Sequence, residues 1–221
     1  PDGVNDQGMA RYARNPGGSI PNMLAMYAKM GGNAAFVGKV GRDAFGDFLI
    51  SQLEKAGVYA SGVLRDDRVP TTLAIVNLLE NGDRSFHFYR KPGADILLRE
   101  TELPLSRIRA ARRFHFAGVS LTDEPSRSAT FAAVRLARDS GAFISFDCNH
   151  RASLWDDQQE ARSILLSALP LADIVKLSEE ELFLLQDSGD LQSCARAILA
   201  MGPQAVLISR GEKGACVLTP R

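Results

Sequence analysis

The sequence predicts an α/β fold, a mainly parallel sheet with helices on both faces and a small β-hairpin standing off it as a lid. Three observations carry that expectation. Short apolar runs rich in β-branched and aromatic residues alternate with helical patterns of about ten residues or more. The 221 residues are 45% hydrophobic and 24% charged, the composition of an ordinary globular chain with a sizeable core. One stretch, 71–91, breaks the alternation with two consecutive extended runs.

In chain order, an apolar run over 23–30 predicts the first helix, and Ala34-Ala35-Phe36-Val37 reads as a buried strand. Apolar residues at Phe45, Phe48, Leu49 and Leu53 mark a helix over 45–56, with Gly57 placed as its C-terminal cap. The runs 71–79 and 84–91 are joined by Glu80-Asn81-Gly82-Asp83, an Asn-Gly hairpin signal. A hairpin cannot supply a parallel crossover, so it is expected as the lid. Beyond it, strands over 113–119, 142–147, 174–177 and 205–209 alternate with helices over 125–140, 158–169, 179–186 and 192–201, and 215–219 adds a last strand. No Pro/Gly/Ser linker divides the chain and no repeat is visible, so 1–221 is expected to be a single domain.

Lys plus Arg and Asp plus Glu number 26 each, giving zero net charge and no basic field for a nucleic acid or an anionic membrane. Any phosphate site must therefore be local. The arginines at 107, 109, 112 and 113 fall across a helix end and a strand start rather than forming a nucleic-acid patch. Apolar runs such as Ala205-Val206-Leu207-Ile208 are far short of the roughly 20 residues of a membrane span, and no leader opens the chain, so a cytoplasmic location is expected. Cys148, Cys194 and Cys216 make no C-x-x-C pair and read as small core residues of a reducing compartment. No metal ligand is assigned among the three histidines, of which His87 and His115 read as packing residues on strands.

Five segments could carry chemistry. Gly17-Gly18 with Pro21 and Asn22 opens a helix, where close backbone approach and free N–H groups would suit a polar ligand; a plain turn capped by Ser19 is the alternative. Strand alternation places Phe86, Phe88 and Arg90 on one face of the lid, either toward a hydroxylated ligand or packed on the body. Asp147-Cys148-Asn149-His150-Arg151 follows a strand at its carboxyl end, the position where open α/β sheets bind ligands; an Asp/Asn turn with a surface arginine is the alternative. Ser178-Glu179-Glu180-Glu181 reads as a capping box, with Glu181 as an alternative oxygen contact for hydrated magnesium. Ser209-Arg210-Gly211-Glu212-Lys213-Gly214, between two strands, is either a glycine hairpin or a loop whose N–H groups meet phosphates. Walker A, G-x-G-x-x-G, H-E-x-x-H and G-x-S-x-G patterns are absent, which disfavours the enzyme classes built on them.

Gly17-Gly18 with Asn22, followed by the glycine-spaced run Gly32-Asn33-Ala34-Ala35-Phe36-Val37-Gly38-Lys39-Val40-Gly41-Arg42-Asp43-Ala44-Phe45-Gly46, resembles the first signature of the ribokinase/PfkB carbohydrate kinase family. The flap ending Phe88-Tyr89-Arg90, the D-x-N-x-R run, the S-E-E-E run and the S-R-G-E-K-G loop follow in that family's order, and Ala117 to Trp155 is most similar to bacterial fructokinases. The resemblance implies a ribokinase-like sheet with a β lid and an ATP- and magnesium-dependent transfer of a phosphoryl group to a primary sugar hydroxyl, with fructose giving fructose 6-phosphate. 2-Keto-3-deoxygluconate, an aminoimidazole riboside and a non-catalytic sugar- or partner-binding role remain alternatives.

By the same resemblance Gly17, Gly18, Asn22, Phe88, Arg90 and Arg151 contact the sugar. Ser209, Gly211, Lys213 and Gly214 border ATP, and Asp147, Asn149 and Glu181 lie near its phosphates and Mg2+. Ile20-Pro21, His150 and Ser178 depart from the family's commoner residues. The catalytic aspartate of the family's G-A-G-D segment is implied beyond Arg221 and its first strand before Pro1, so 1–221 alone is expected to be inactive. Exposed lid edges predict pairing of two lids in a homodimer.

Overall fold

A computed structural model describes residues 3–78, 84–186 and 189–220, without the side chains of Leu78 and Arg84. The hairpin turn expected at 80–83 lies outside the described residues. The chain separates into two compact units, Pro1–Asp95 and Ile96–Arg221.

The first unit begins with helix α1 (Ser19–Lys29), strand β1 (Ala34–Gly41), helix α2 (Ala44–Lys55) and strand β2 (Val58–Asp66). β1 and β2 pair in parallel, from Ala34 opposite Val58 to Gly41 opposite Asp66, with an irregularity between Ala35 and Val37. α2 starts where Asp43 accepts the N–H groups of Phe45 and Gly46, and Gly57 follows its end at φ 82°. Of the apolar face expected for this helix, Leu53 is buried with Ile50, whereas Phe45 is exposed. Ala34, Val40, Val58 and Val63 complete this small core, against which Leu24 and Ala28 of α1 pack. α1 itself has no fully buried residue. Strands β3 (Leu73–Leu78) and β4 (Arg84–Tyr89) form a separate antiparallel pair, with Leu73 opposite Tyr89 and Val76 opposite Phe86.

The second unit carries a short helix α3 (Leu105–Arg109), β5 (Arg113–Ala117), α4 (Ser126–Asp139), β6 (Phe143–Asp147), α5 (Gln158–Ala168), β7 (Ile174–Ser178), α6 (Glu179–Leu185), α7 (Leu191–Leu199), β8 (Ala205–Ser209) and β9 (Ala215–Leu218). The five strands lie side by side in sequence order, β5 to β8 parallel and β9 antiparallel. This is the α/β architecture expected from the strand–helix alternation. Ile144, Phe146, Val175, Leu177, Val206 and Ile208 alternate along β6, β7 and β8 and are all buried. Burying that apolar row accounts for the order of these strands better than any local propensity does. Arg127 of α4 ties the chain after β5 in place, donating from Nε to the Leu121 carbonyl at 2.7 Å, from Nη2 to the Thr122 carbonyl at 2.8 Å and from Nη1 to Glu160 Oε1 at 2.7 Å. Among the described residues no helix is long and apolar enough to cross a membrane.

Candidate active site

Three of the motifs singled out in the sequence share one edge of one sheet. The carboxyl ends of β6, β7 and β8 lead into Asp147–Arg151, Ser178–Glu181 and Ser209–Gly214 respectively. Parallel strands deliver their following loops to the same edge, so a polar cluster forms there from segments linked by hydrogen bonds between residues 31 positions apart in sequence.

Glu181 organises that edge. The Ser178 Oγ accepts the Glu181 N–H at 3.1 Å, while Glu181 Oε2 accepts the Ser178 N–H at 2.7 Å, so the capping box is complete. The other oxygen, Oε1, accepts the His150 N–H at 2.6 Å. One buried carboxylate thereby joins the helix start after β7 to the loop after β6, and its charge-assisted hydrogen bonds offset the cost of burial. In that loop Asn149 is buried and adopts φ 37°, the left-handed region that asparagine tolerates better than most residues. The loop passes so near the chain after β5 that a Cβ on Gly118 would stand 2.1 Å from the Cys148 carbonyl oxygen. Arg151 is exposed.

Asp147 and Lys176 face each other across β6 and β7, with Nζ 3.2 Å from Oδ1. Asp147 Oδ1 is shielded from solvent and receives no aligned hydrogen bond there, so the pairing is Coulombic. Burial pushes the Cys148 thiol far up, and the charges of Glu181 and Asp147 push it the same way, which makes this cysteine an inert core residue. Cys194 is also buried and Cys216 partly so. Burial lowers His115, against the opposing charge of Asp147, and its Nδ1 lies 2.8 Å from Ser145 Oγ on the next strand. His87, expected to pack, is exposed.

The Ser209–Gly214 loop is open. Gly211 and Gly214 take φ 55° and 80°, and a Cβ at either would touch nothing within 4 Å. The Arg210 N–H closes the loop on the Gly214 carbonyl at 2.8 Å, and its Nε reaches Glu179 Oε1 at 3.3 Å, which links this loop to the start of α6. Gly211, Lys213 and Gly214 stay exposed and Ser209 is half-buried. Among the described residues no three His, Cys, Asp or Glu side chains converge as a metal cage.

The remaining candidates belong to the first unit. Gly18, at φ 112°, precedes α1 without a side-chain cap, and Ser19 is the first helical residue rather than the cap. Gly17 and Asn22 line a groove of about 360 Å3 together with Met26, Phe36, Leu49 and Leu53. On the β3–β4 pair, Phe86 and Phe88 stack with ring centroids 6.1 Å apart, as their shared strand face requires, and His87 and Tyr89 occupy the other face. Arg90 is buried, and its Nε donates to Asp95 Oδ2 at 2.7 Å.

Sequence reasoning assigned no role to three aspartates that hold this unit together. Asp43 accepts from the Thr71 N–H and hydroxyl as well as from its own helix, all at 2.8 to 3.0 Å. Asp66 pairs with the buried Lys39 at 3.8 Å and accepts the Arg68 and Val69 N–H groups. The Arg68 hydrogen bond holds the Asp66 carboxyl below its ordinary range. Only Asp43 carried a sequence signal, an N-cap residue just before an apolar helical run. The partners of Asp66 and Asp95 depend on folded turns that spacing does not specify.

Against known proteins, residues 4–220 match the family model described as pfkB family carbohydrate kinase. The chain is 42% identical over 204 residues to Fructokinase-2 of Oryza sativa subsp. japonica, covering 92% of this chain and 61% of that protein. Among solved structures, apo fructokinase from Vibrio cholerae O395 superimposes with a TM-score of 0.87 at 35% identity, covering 99% of this chain and 74% of that one. The same enzyme with fructose, ADP and calcium ion bound gives 0.86 at 35% identity, covering 95% and 68%. The chain thus spans less than two thirds of the length of the rice relative.

Proposed function

Because the chain belongs to the pfkB family of carbohydrate kinases, we propose that the whole protein is an ATP-dependent kinase that phosphorylates fructose at O6. The observation that carries this reading is 42% identity to a fructokinase over 92% of the chain. In this reading residues 1–221 act as one kinase domain, with 71–91 as its lid, in a cytoplasmic enzyme that pairs through its lids as a homodimer.

Gly17, Gly18 and Asn22 bind sugar hydroxyls, and Phe88 and Arg90 meet the sugar from the lid. Arg151 approaches the sugar or the transferring phosphate. The open backbone of Ser209–Gly214 suits a nucleotide phosphate chain, since glycine N–H groups can approach it with no Cβ in the way and Lys213 supplies charge. A magnesium ion bound with ATP would need only one or two protein carboxylates; Asp147, whose shielded Oδ1 receives no hydrogen bond, would be the residue to hold it, with Asn149 and Glu181 in its vicinity. When bound, the ion neutralises charge on the phosphates.

The protein's own contribution is positioning. Glu181 fixes the Asn149–Arg151 loop against the start of α6, so that groups facing the transferring phosphate are set before it arrives. The test is ADP release by the full-length protein with fructose, ribose, 2-keto-3-deoxygluconate and an aminoimidazole riboside in parallel. Fructose is expected to give the highest kcat/KM, and Arg151→Ala to lower it by about tenfold or more through loss of a charge-assisted contact. Absence of sugar-dependent turnover overturns the proposal, and preference for another sugar reassigns the substrate.

A further inference from the structure

We propose that Asp95 is a positioning residue for sugar recognition, holding the Arg90 guanidinium in place at the base of the lid. The proposal rests on the reading that Arg90 meets the sugar, and its test separates failure of one from failure of the other.

Thr72 immediately precedes β3 and Arg90 immediately follows β4, and the adjoining residues Leu73 and Tyr89 are opposite each other in the ladder. Asp95 joins the two ends. Its Oδ2 receives Arg90 Nε at 2.7 Å and lies 2.7 Å from Arg90 Nη2, and its Oδ1 receives the Thr72 hydroxyl. Gly93 makes the turn between them possible, because a Cβ there would stand 2.2 Å from Thr72 Oγ1 and 2.6 Å from the Arg90 carbonyl oxygen. The Arg90 side chain is 7% exposed and that of Asp95 38%. A cation is therefore withdrawn from water against a carboxylate that keeps its own access to solvent, an arrangement that orients the arginine at little desolvation cost to the aspartate.

A free arginine side chain samples many rotamers, and ordering them on ligand binding weakens affinity. With Nε and Nη2 both on one carboxylate oxygen, the plane of the guanidinium is set when the lid base folds. Arg90 would then meet the sugar already oriented, and Asp95 would influence affinity without touching it.

The experiment compares full-length wild type, Asp95→Asn, Arg90→Ala and the double variant. Asp95→Asn keeps the shape and an acceptor for Thr72 while removing the charge. Expected for Asp95→Asn is a rise of about tenfold in KM for the sugar, the size of one lost charge-assisted hydrogen bond, with KM for ATP within about twofold. In the Arg90→Ala background the same change is expected to add nothing to the sugar KM. A purely structural aspartate would instead disturb both KM values and keep its effect without Arg90. An unchanged sugar KM in Asp95→Asn, or a full effect in the Arg90→Ala background, overturns the proposal. Should the wild type turn over no sugar, the kinase reading fails, and hydrogen exchange at the Arg90 Nε–H decides the positioning role. Exchange at least about tenfold faster in Asp95→Asn supports it, and unchanged exchange overturns it.

Discussion

The two units hold their candidate ligand residues by different means. In Ile96–Arg221 the polar edge sits on strands whose inward residues Ile144, Val175, Leu177, Val206 and Ile208 are all 0% exposed. In Pro1–Asp95 the core cluster formed by β1, α2 and β2 keeps 2% to 8% exposure, and a groove of about 360 Å3 runs beside Leu53. There the fixing is polar, with Asp43 on Thr71, Asp66 on Lys39 and Asp95 on Arg90. Apolar burial is non-directional and makes a stiff platform, while a few oriented hydrogen bonds lock particular turns and leave the surrounding packing looser. The difference gives Ile96–Arg221 a stiff platform and Pro1–Asp95 a set of releasable polar clamps.

Paired core truncations test that difference most strongly. Leu177→Ala is expected to cost about 4 kcal/mol of unfolding free energy, and Leu53→Ala about 2, because the second site already borders a groove and gains less new cavity. Urea unfolding of both variants measures this, and equal losses would erase the contrast in packing.

The polar clamps predict a pH signature of intermediate size. Asp43→Ala should cost about 1–2 kcal/mol near neutral pH through loss of the α2 cap alone. Burial acts to raise the Asp43 pKa, yet the hydrogen bonds from Thr71, Gly46 and Phe45 together hold it below the ordinary 3.8. The folded protein thus binds this proton less readily than the unfolded chain does. The contribution is complete above the ordinary value and is lost as pH falls below it through the folded pKa. The deficit of the variant should therefore shrink in acid, and a deficit constant from pH 7 to pH 3 would contradict the clamp.

The smallest effect concerns the open loop of the second unit. Gly211→Ala places a Cβ in empty space, so only its φ of 55° resists the change, by about 1 kcal/mol. A larger loss of stability in urea would mean that the loop is packed rather than open.

Much of the fold was legible in the sequence because its signals are local. Alternating apolar strands and amphipathic helices located β5 to β9 and α4 to α7, and Ser178 with Glu181 announced a capping box that the structure contains. β2 was not legible. Val58–Asp66 carries a glycine at its centre, and its strand conformation comes from parallel pairing with β1, where Gly62 comes so close to Phe36 that a Cβ would stand 2.8 Å from the carbonyl oxygen. α1 likewise starts four residues before the apolar run that marked it, with Pro21 accommodated in its first turn, where its missing N–H costs nothing. For the site, the sequence showed which residue types were present but not their partners. Glu181 was legible as a cap, whereas its second oxygen on the His150 N–H requires two loops joined only by the sheet edge.

The sequence by itself determined the α/β class, the order of the motifs and the family they resemble, because hydrophobic period, turn residues and glycine spacing act over a few positions at a time. The tertiary structure alone decided which polar groups meet. Asp95 under Arg90, Asp43 on Thr71 and Glu181 across to His150 join residues 5 to 31 positions apart, and such contacts exist only once burial of the apolar faces has fixed the turns between them.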